Sequence, residues 1–201
     1  SLGSFYKNKH TGTYGDMGIL SFNGNKTITT GGGGAILTDN EELALKIRHL
    51  TTTAKLSHSW EYQHDQIGYN YRMPNLNAAL GCAQLEQLPN FLESKRALFH
   101  IYEDVFKDID GINLYHEPKE SISNYWLQAL VLDEEEKHQL NYILKITNDL
   151  GIQTRPAWNL LNEMDAYQDC PSMELSQSIS LRERLLNIPS SPFLAIKNYE
   201  Y

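Results

Sequence analysis

Cysteine is nearly absent from this chain. Among its 201 residues there are two, Cys82 and Cys170, far apart in sequence. They form no CxxC pair and no disulfide framework, which points to reduced thiols and a cytoplasmic protein. Long apolar runs are missing too: no stretch reaches the ~20 residues of a membrane span, and no signal peptide is visible. Positive charge is scarce. Lys and Arg number 17 against 25 Asp and Glu, for a net charge of -8, which argues against nonspecific binding to nucleic acid or to an anionic membrane. A local basic site for a phosphate stays possible. His58, His100, His116 and His138 have no metal-ligand spacing and read as surface residues, so no metal site is expected.

What is present is a core and a regular pattern. Apolar residues make up 41% of the chain, which excludes global disorder. Residues 17–22 (MGILSF) and 34–38 (GAILT) read as short buried strands. The helix that follows would start at Asp39 as N-cap, with Glu42 three residues on and Leu43, Ile47 and Leu50 at helical spacing. Residues 51–73 are irregular, polar and ring-bearing, as functional loops often are. From Pro74 a small-residue helix begins, with Ala78, Ala79, Gly81 and Ala83 allowing close packing and Cys82 expected in the core. Pro89 should break or kink it, giving a bent connector between two lobes. Beyond Gly111 come a strand at 124–132, an amphipathic helix closed by Gly151, a short strand or loop at IQTRPAW, and a last helix over ELSQSISLRERLLNI. Together these form a small α/β lobe.

One lysine stands out. Lys26 lies in SFNGNKTITTGGGGAILTD, behind a hydroxyl and before four consecutive glycines. A Walker-type phosphate loop needs glycine directly before the lysine. Here Asn25 precedes it, and with Gly24 as the second glycine the position five residues earlier is Ile19. That motif fails. An ordinary surface lysine is one remaining reading. The other is a Schiff-base lysine, whose amine must reach a carbonyl and give up its proton inside a small-residue loop with a hydroxyl nearby for a phosphate. Ser21 lies upstream, and Thr27, Thr29 and Thr30 follow.

The segment resembles the active-site block of the DegT/DnrJ/EryC1/StrS family. The family pattern is G-D-x-G, then S-F, then K, then T-x-G-E-G-G. This chain has Gly15-Asp16-Met17-Gly18, Ser21-Phe22, Lys26 and Thr30-Gly31-Gly32-Gly33-Gly34, with Gly32 in place of the usual Glu. A second block, HDQIGYNYRMPNLNAALGCAQLEQL at 64–88, is similar to the family's G-Y-N-[YF]-R-M segment. The run on to Arg96, TRPAW and LNIPSSP look like the LegC-like branch, which handles UDP-linked amino sugars.

The resemblance implies a pyridoxal 5'-phosphate (PLP) enzyme that aminates a keto group of a nucleotide-linked 6-deoxy sugar, with glutamate as amino donor, in amino-sugar, nonulosonic acid or surface polysaccharide biosynthesis. The fold implied is the C-terminal portion of the type I PLP-dependent, aspartate aminotransferase fold. Residues 1–88 would end the large PLP-binding domain and its sheet, 89–110 would be a connecting helix, and 111–201 a small α/β domain. By the same resemblance Lys26 anchors PLP and moves the proton, while Ser21 binds the cofactor phosphate. Asn70 reaches the phosphate in the neighbouring subunit, so a homodimer shares its sites. Its other reading is a turn residue after Gly68. Arg72 and Arg155 are candidates for the substrate diphosphate or for structural ion pairs. Trp60, His64, Tyr69, Trp158 and Tyr167 either line the sugar pocket or simply pack.

Family members are longer, and this chain would begin just after their D-A-A-x motif, whose aspartate keeps the PLP ring nitrogen protonated. The expectation is therefore a fragment of a longer protein, a truncated product or a partial sequence, with strand edges and apolar surface exposed. Two alternatives to the aminotransferase follow. One is a non-catalytic remnant that only oligomerises. The other is a PLP-dependent sugar dehydratase, in which a histidine replaces the lysine, so Lys26 argues against it.

Overall fold

The computed structural model describes residues 1–195; the end of the expected 111–201 domain lies outside the described residues. Nine strands occur: β1 (Phe5–Tyr6), β2 (Lys9–His10), β3 (Gly18–Ser21), β4 (Gly34–Leu37), β5 (Ile112–Leu114), β6 (Ser121–Ile122), β7 (Gln128–Leu132), β8 (Arg155–Pro156) and β9 (Leu185–Ile188) among the described residues. The α-helices among them are α1 (Glu41–Thr51), α2 (Asn75–Phe106), α3 (Leu140–Asp149) and α4 (Ser176–Arg184). They fall into two compact units, one of residues 1–91 with 119–124, the other of residues 92–118 with 125 onward.

In the first unit β3 and β4 pair antiparallel, with Gly18 opposite Leu37 and Ser21 opposite Gly34. Phe22 N–H donates to the Gly33 carbonyl and extends the ladder into the connecting loop. Alternation decides the packing: Leu20 is buried with Phe22 and Ile28, whereas Ile19 on the opposite face is 67% exposed and Ile36 42%. A small sheet in the order β2-β1-β6 completes the strands of this unit. Gly18 must be glycine, because a Cβ there would sit 1.7 Å from the Gly12 carbonyl oxygen.

Helix α1 starts one residue later than expected. Its N-cap is Asn40, whose Oδ1 accepts from Leu43 N–H at 3.1 Å; Asn and Asp cap about equally well. Residues 58–74 carry no regular element, although Thr52 bridges to Asn70 and Lys55 to His64. Helix α2 runs through Pro89 as one helix of 32 residues, so the expected break does not occur. Proline removes one N–H, and its neighbours supply enough packing to keep the helical path. Cys82 is exposed, not in the core. Gly81 is the small residue that packs closely: a Cβ there would lie 2.9 Å from Thr30 Cγ2.

The second unit is built on an antiparallel sheet in the order β5-β7-β9-β8. Its core gathers Phe99 from α2, Leu114, Tyr125, Leu130, Leu132, Leu140, Leu186 and Ile188. Two expectations shift here. The strand expected at 124–132 narrows to β7, because the chain turns at Tyr125 (φ 43) before entering the sheet. The last helix ends at Arg184, and Leu185–Ile188 becomes β9, paired on both sides by β7 and β8. Among the described residues, no helix is long and apolar enough to cross a membrane.

Candidate active site

The loop from Phe22 to Gly33 projects between the paired ends of β3 and β4. Its start is a tight turn, with Lys26 N–H donating to the Asn23 carbonyl at 3.1 Å. Lys26 is half-buried there, and Ser21 is exposed at the end of β3.

The return limb is held tightly. Thr30 N–H and the Thr29 hydroxyl both donate to the Phe22 carbonyl. The Thr29 hydroxyl accepts from Gly31 N–H, and the Thr30 hydroxyl donates to the Gly32 carbonyl. From α2, Asn77 donates its amide to the Thr30 carbonyl, and Gln84 Oε1 accepts from Thr29 N–H. Gly31 (φ 79) and Gly33 (φ 85) take left-handed backbone that a side chain would strain.

A cleft of about 910 Å³ opens in the same unit. It is lined by the exposed sheet face (Ile19, Ile36), the glycine loop 32–34, Ile47 and Arg48 of α1, and the stretch from Tyr71 to Asn77 that includes Arg72. Two arginines face it, and among the described residues no carboxylate lines it. Lys26, Ser21, Asn70 and Tyr69 do not line it.

The other expected residues are placed as follows. Asn70 is exposed and bridges to Thr52, with Tyr69 N–H donating to Leu50 and Tyr71 N–H to Thr51 at the end of α1. Tyr69 and Tyr71 stack, their centroids 5.2 Å apart. His64 Nδ1 lies 2.7 Å from the Thr53 carbonyl, which can only accept, so Nδ1 carries the proton. Trp60 is 77% exposed and packs edge-on against His58. Nearby, a hydrogen bond from His49 holds the Asp65 carboxyl below its usual range. Arg155 and Trp158 belong to the second unit. Arg155 donates to Asn148 Oδ1 and to the Thr154 carbonyl, both at 2.7 Å, and Trp158 stacks on Trp126. Tyr167 is exposed.

The residues around Lys26 fit PLP by donor chemistry: a primary amine for an aldehyde, and the Ser21 and Thr27 hydroxyls for a phosphate. Space is available beside the turn, since a Cβ built on Gly24 or Gly32 meets nothing within 4 Å. Asn77 and Arg48 carry no role in the sequence reading. Asn77 lies inside the second motif block, where an amide on the packed side of a first helical turn is the available signal. Arg48 has none, since on α1 it looks like any solvated helix cation.

The chain belongs to the DegT/DnrJ/EryC1/StrS aminotransferase family, whose model matches residues 1–201. It is 37% identical over 207 residues to GDP-perosamine synthase of Escherichia coli O157:H7, covering 100% of this chain and 54% of that protein. The structure of Helicobacter pylori PseC, described as an aminotransferase involved in the biosynthesis of pseudoaminic acid, superposes with a TM-score of 0.90 at 24% identity, over 98% of this chain and 54% of that one. The E. coli GDP-4-keto-6-deoxy-D-mannose-3-dehydratase with bound hydrated PLP gives a TM-score of 0.83 at 23% identity, over 94% and 54%. The chain thus spans about half the length of the curated relatives it matches, and its fold is that portion of the type I PLP-dependent fold.

Proposed function

We propose that this chain carries the lysine side of a PLP-dependent aminotransferase that transfers an amino group, from glutamate, to a keto group of a nucleotide-linked 6-deoxy sugar. The observation that carries the reading is the Lys26 turn: a half-buried lysine shortly after Ser21 in sequence, on a loop locked by Thr29, Thr30 and Asn77, in a chain matched over its length by that family. When bound, PLP supplies the electron sink. Lys26 Nζ anchors the cofactor and carries the proton to and from the substrate carbon that bears the amino group. Ser21 donates to the cofactor phosphate, and the locked return limb keeps both groups oriented.

Asn70 serves the cofactor phosphate of a second copy, so the working form is a cytoplasmic homodimer with shared sites. Arg72 meets the substrate diphosphate, supported by the cationic lining of its cleft; Arg155 is a second such cation. Trp60, His64, Tyr69 and Trp158 contact the sugar or its nucleotide. The partition is 1–88 for the large-domain portion, 89–110 for the connecting helix and 111–201 for the small domain. The branch is LegC-like, acting on UDP-linked amino sugars.

The test adds PLP to the purified chain, reduces with borohydride and maps the labelled peptide. Label confined to Lys26 and lost in Lys26→Ala supports the reading, and amination of a nucleotide-linked 4-keto sugar then follows. Label scattered over surface lysines overturns it for this chain. A second reading, a remnant that only oligomerises, is favoured by the exposed face of Ile19 and Ile36.

A further inference from the structure

Lys95 of α2 is 4% exposed, yet among the described residues its ammonium meets no carboxylate. Its Nζ donates to three backbone carbonyls instead: Tyr125 at 3.2 Å, Trp126 at 3.2 Å and Ser190 at 2.6 Å. Successive carbonyls of an extended strand point opposite ways. Here two successive ones converge on one cation, and the chain makes this turn at Tyr125, whose φ of 43 lies in the left-handed region. Such backbone in a bulky residue persists only where the surroundings hold it, and it clusters at functional sites.

The surroundings are unusually complete. Tyr125 stacks on Phe99 at 4.5 Å, with the Arg96 guanidinium over its ring. Gln128 donates its amide to the Lys95 carbonyl, and its backbone N–H donates to the Ser190 hydroxyl. The Tyr102 hydroxyl donates to the Pro189 carbonyl. What this knot presents is Trp126, stacked on Trp158 with centroids 5.9 Å apart and ring planes 22° from parallel. Trp158 stays 67% exposed, so the pair offers an open aromatic face.

We infer that Lys95 is a positioning residue: by gathering the carbonyls of Tyr125, Trp126 and Ser190, it fixes the Trp126–Trp158 stack as a platform for the ring system of the substrate's nucleotide. The inference rests on the reading that Trp158 faces that substrate. An ammonium supplies three N–H groups for the three carbonyls, whereas a neutral amine supplies two and so releases one of the three. Burial pushes Lys95 down to about 8, so the platform should loosen above that pH. Around the knot, burial raises the Tyr102 and Tyr125 phenols, and the Glu117 hydrogen bond raises Arg96. These three keep one charge state through this range. His100 and His116 edge onto Phe99 from outside.

The test follows the circular-dichroism exciton couplet of the stacked indoles in the wild type, Lys95→Met, Lys95→Arg and Trp158→Phe, with uridine diphosphate affinity read alongside. The expected result is a couplet absent in Trp158→Phe and weakened in Lys95→Met. In the wild type it falls as pH rises through about 8 while the helical signal holds. Uridine diphosphate should bind about tenfold more weakly to Lys95→Met, with Lys95→Arg nearer the wild type. A couplet unchanged in Lys95→Met, or flat with pH in the wild type should that variant not fold, overturns the inference. Weaker binding in Trp158→Phe but not in a folded Lys95→Met overturns it as well. If the couplet behaves as expected but no variant changes nucleotide affinity, the substrate reading of Trp158 fails while Lys95 still sets the stack.

Discussion

Lys95→Met also removes a buried charge, and with it one source of the pH dependence of stability. The ordinary lysine value of 10.5 falls to about 8 in the folded chain because burial disfavours the charged form. At about 1.4 kcal/mol per unit, that is a difference of about 3 kcal/mol. Between those two values the unfolded chain holds a proton that the folded chain has released, so this contribution to stability rises with pH. Below about pH 8 both states are protonated and the cost of burying the charge is fully present. Above 10.5 both are neutral and the cost is gone. The stability of the wild type minus that of Lys95→Met should therefore climb by about 3 kcal/mol from pH 7 to pH 10.5. Urea unfolding at several pH values measures it, with both proteins carrying Trp60→Phe so that fluorescence reports Trp126 and Trp158. Taking the difference cancels the tyrosines and every other group common to both. A flat difference would refute the reasoning, and would mean that the three carbonyls stabilise the ammonium as strongly as burial disfavours it.

Two further outcomes test the packing. Leu186 is 1% exposed at the centre of the four-stranded sheet, so Leu186→Ala should cost about 3 kcal/mol in urea unfolding with an unchanged m-value; a loss below about 1 kcal/mol would show that the site collapses around the deletion. Gly18→Ala would drive a methyl into the Gly12 carbonyl and should lower stability by about 3 kcal/mol or more, while Gly24→Ala, with open space around it, should unfold at nearly the wild-type urea concentration.

The parts of the fold legible in the sequence are those where local pattern and tertiary pairing agree. β3 and β4 are short apolar runs fenced by glycine, and α2 is a long small-residue helix. β9 was hidden because Leu185, Leu186 and Ile188 continue the apolar spacing of α4; only the two flanking strands turn that segment into a ladder. Helix α2 outlasts Pro89 for a related reason, since tertiary contacts outweigh one lost hydrogen bond. In the candidate site, Lys26, Ser21, Asn70 and Arg72 were singled out by two motif blocks, and of these Arg72 lines the cleft. Asn77 and Arg48 were not, because nothing in a linear sequence says which helical amide will meet the Thr30 carbonyl or which helix cation will face a cleft.

The β3–β4 register sets a rule for redesigning this lysine loop. Ser21 pairs with Gly34, so the chain leaves and re-enters the sheet at fixed points. Residues added or removed around the exposed Asn23–Asn25 tip change the reach of the amine and nothing else in the ladder. A single deletion within β3 would instead turn Ser21 to the opposite side of the sheet and bring a buried leucine out with it. Length variation is thus tolerable at the tip and forbidden in the stem, and the hydroxyl and the amine are tuned by separate edits.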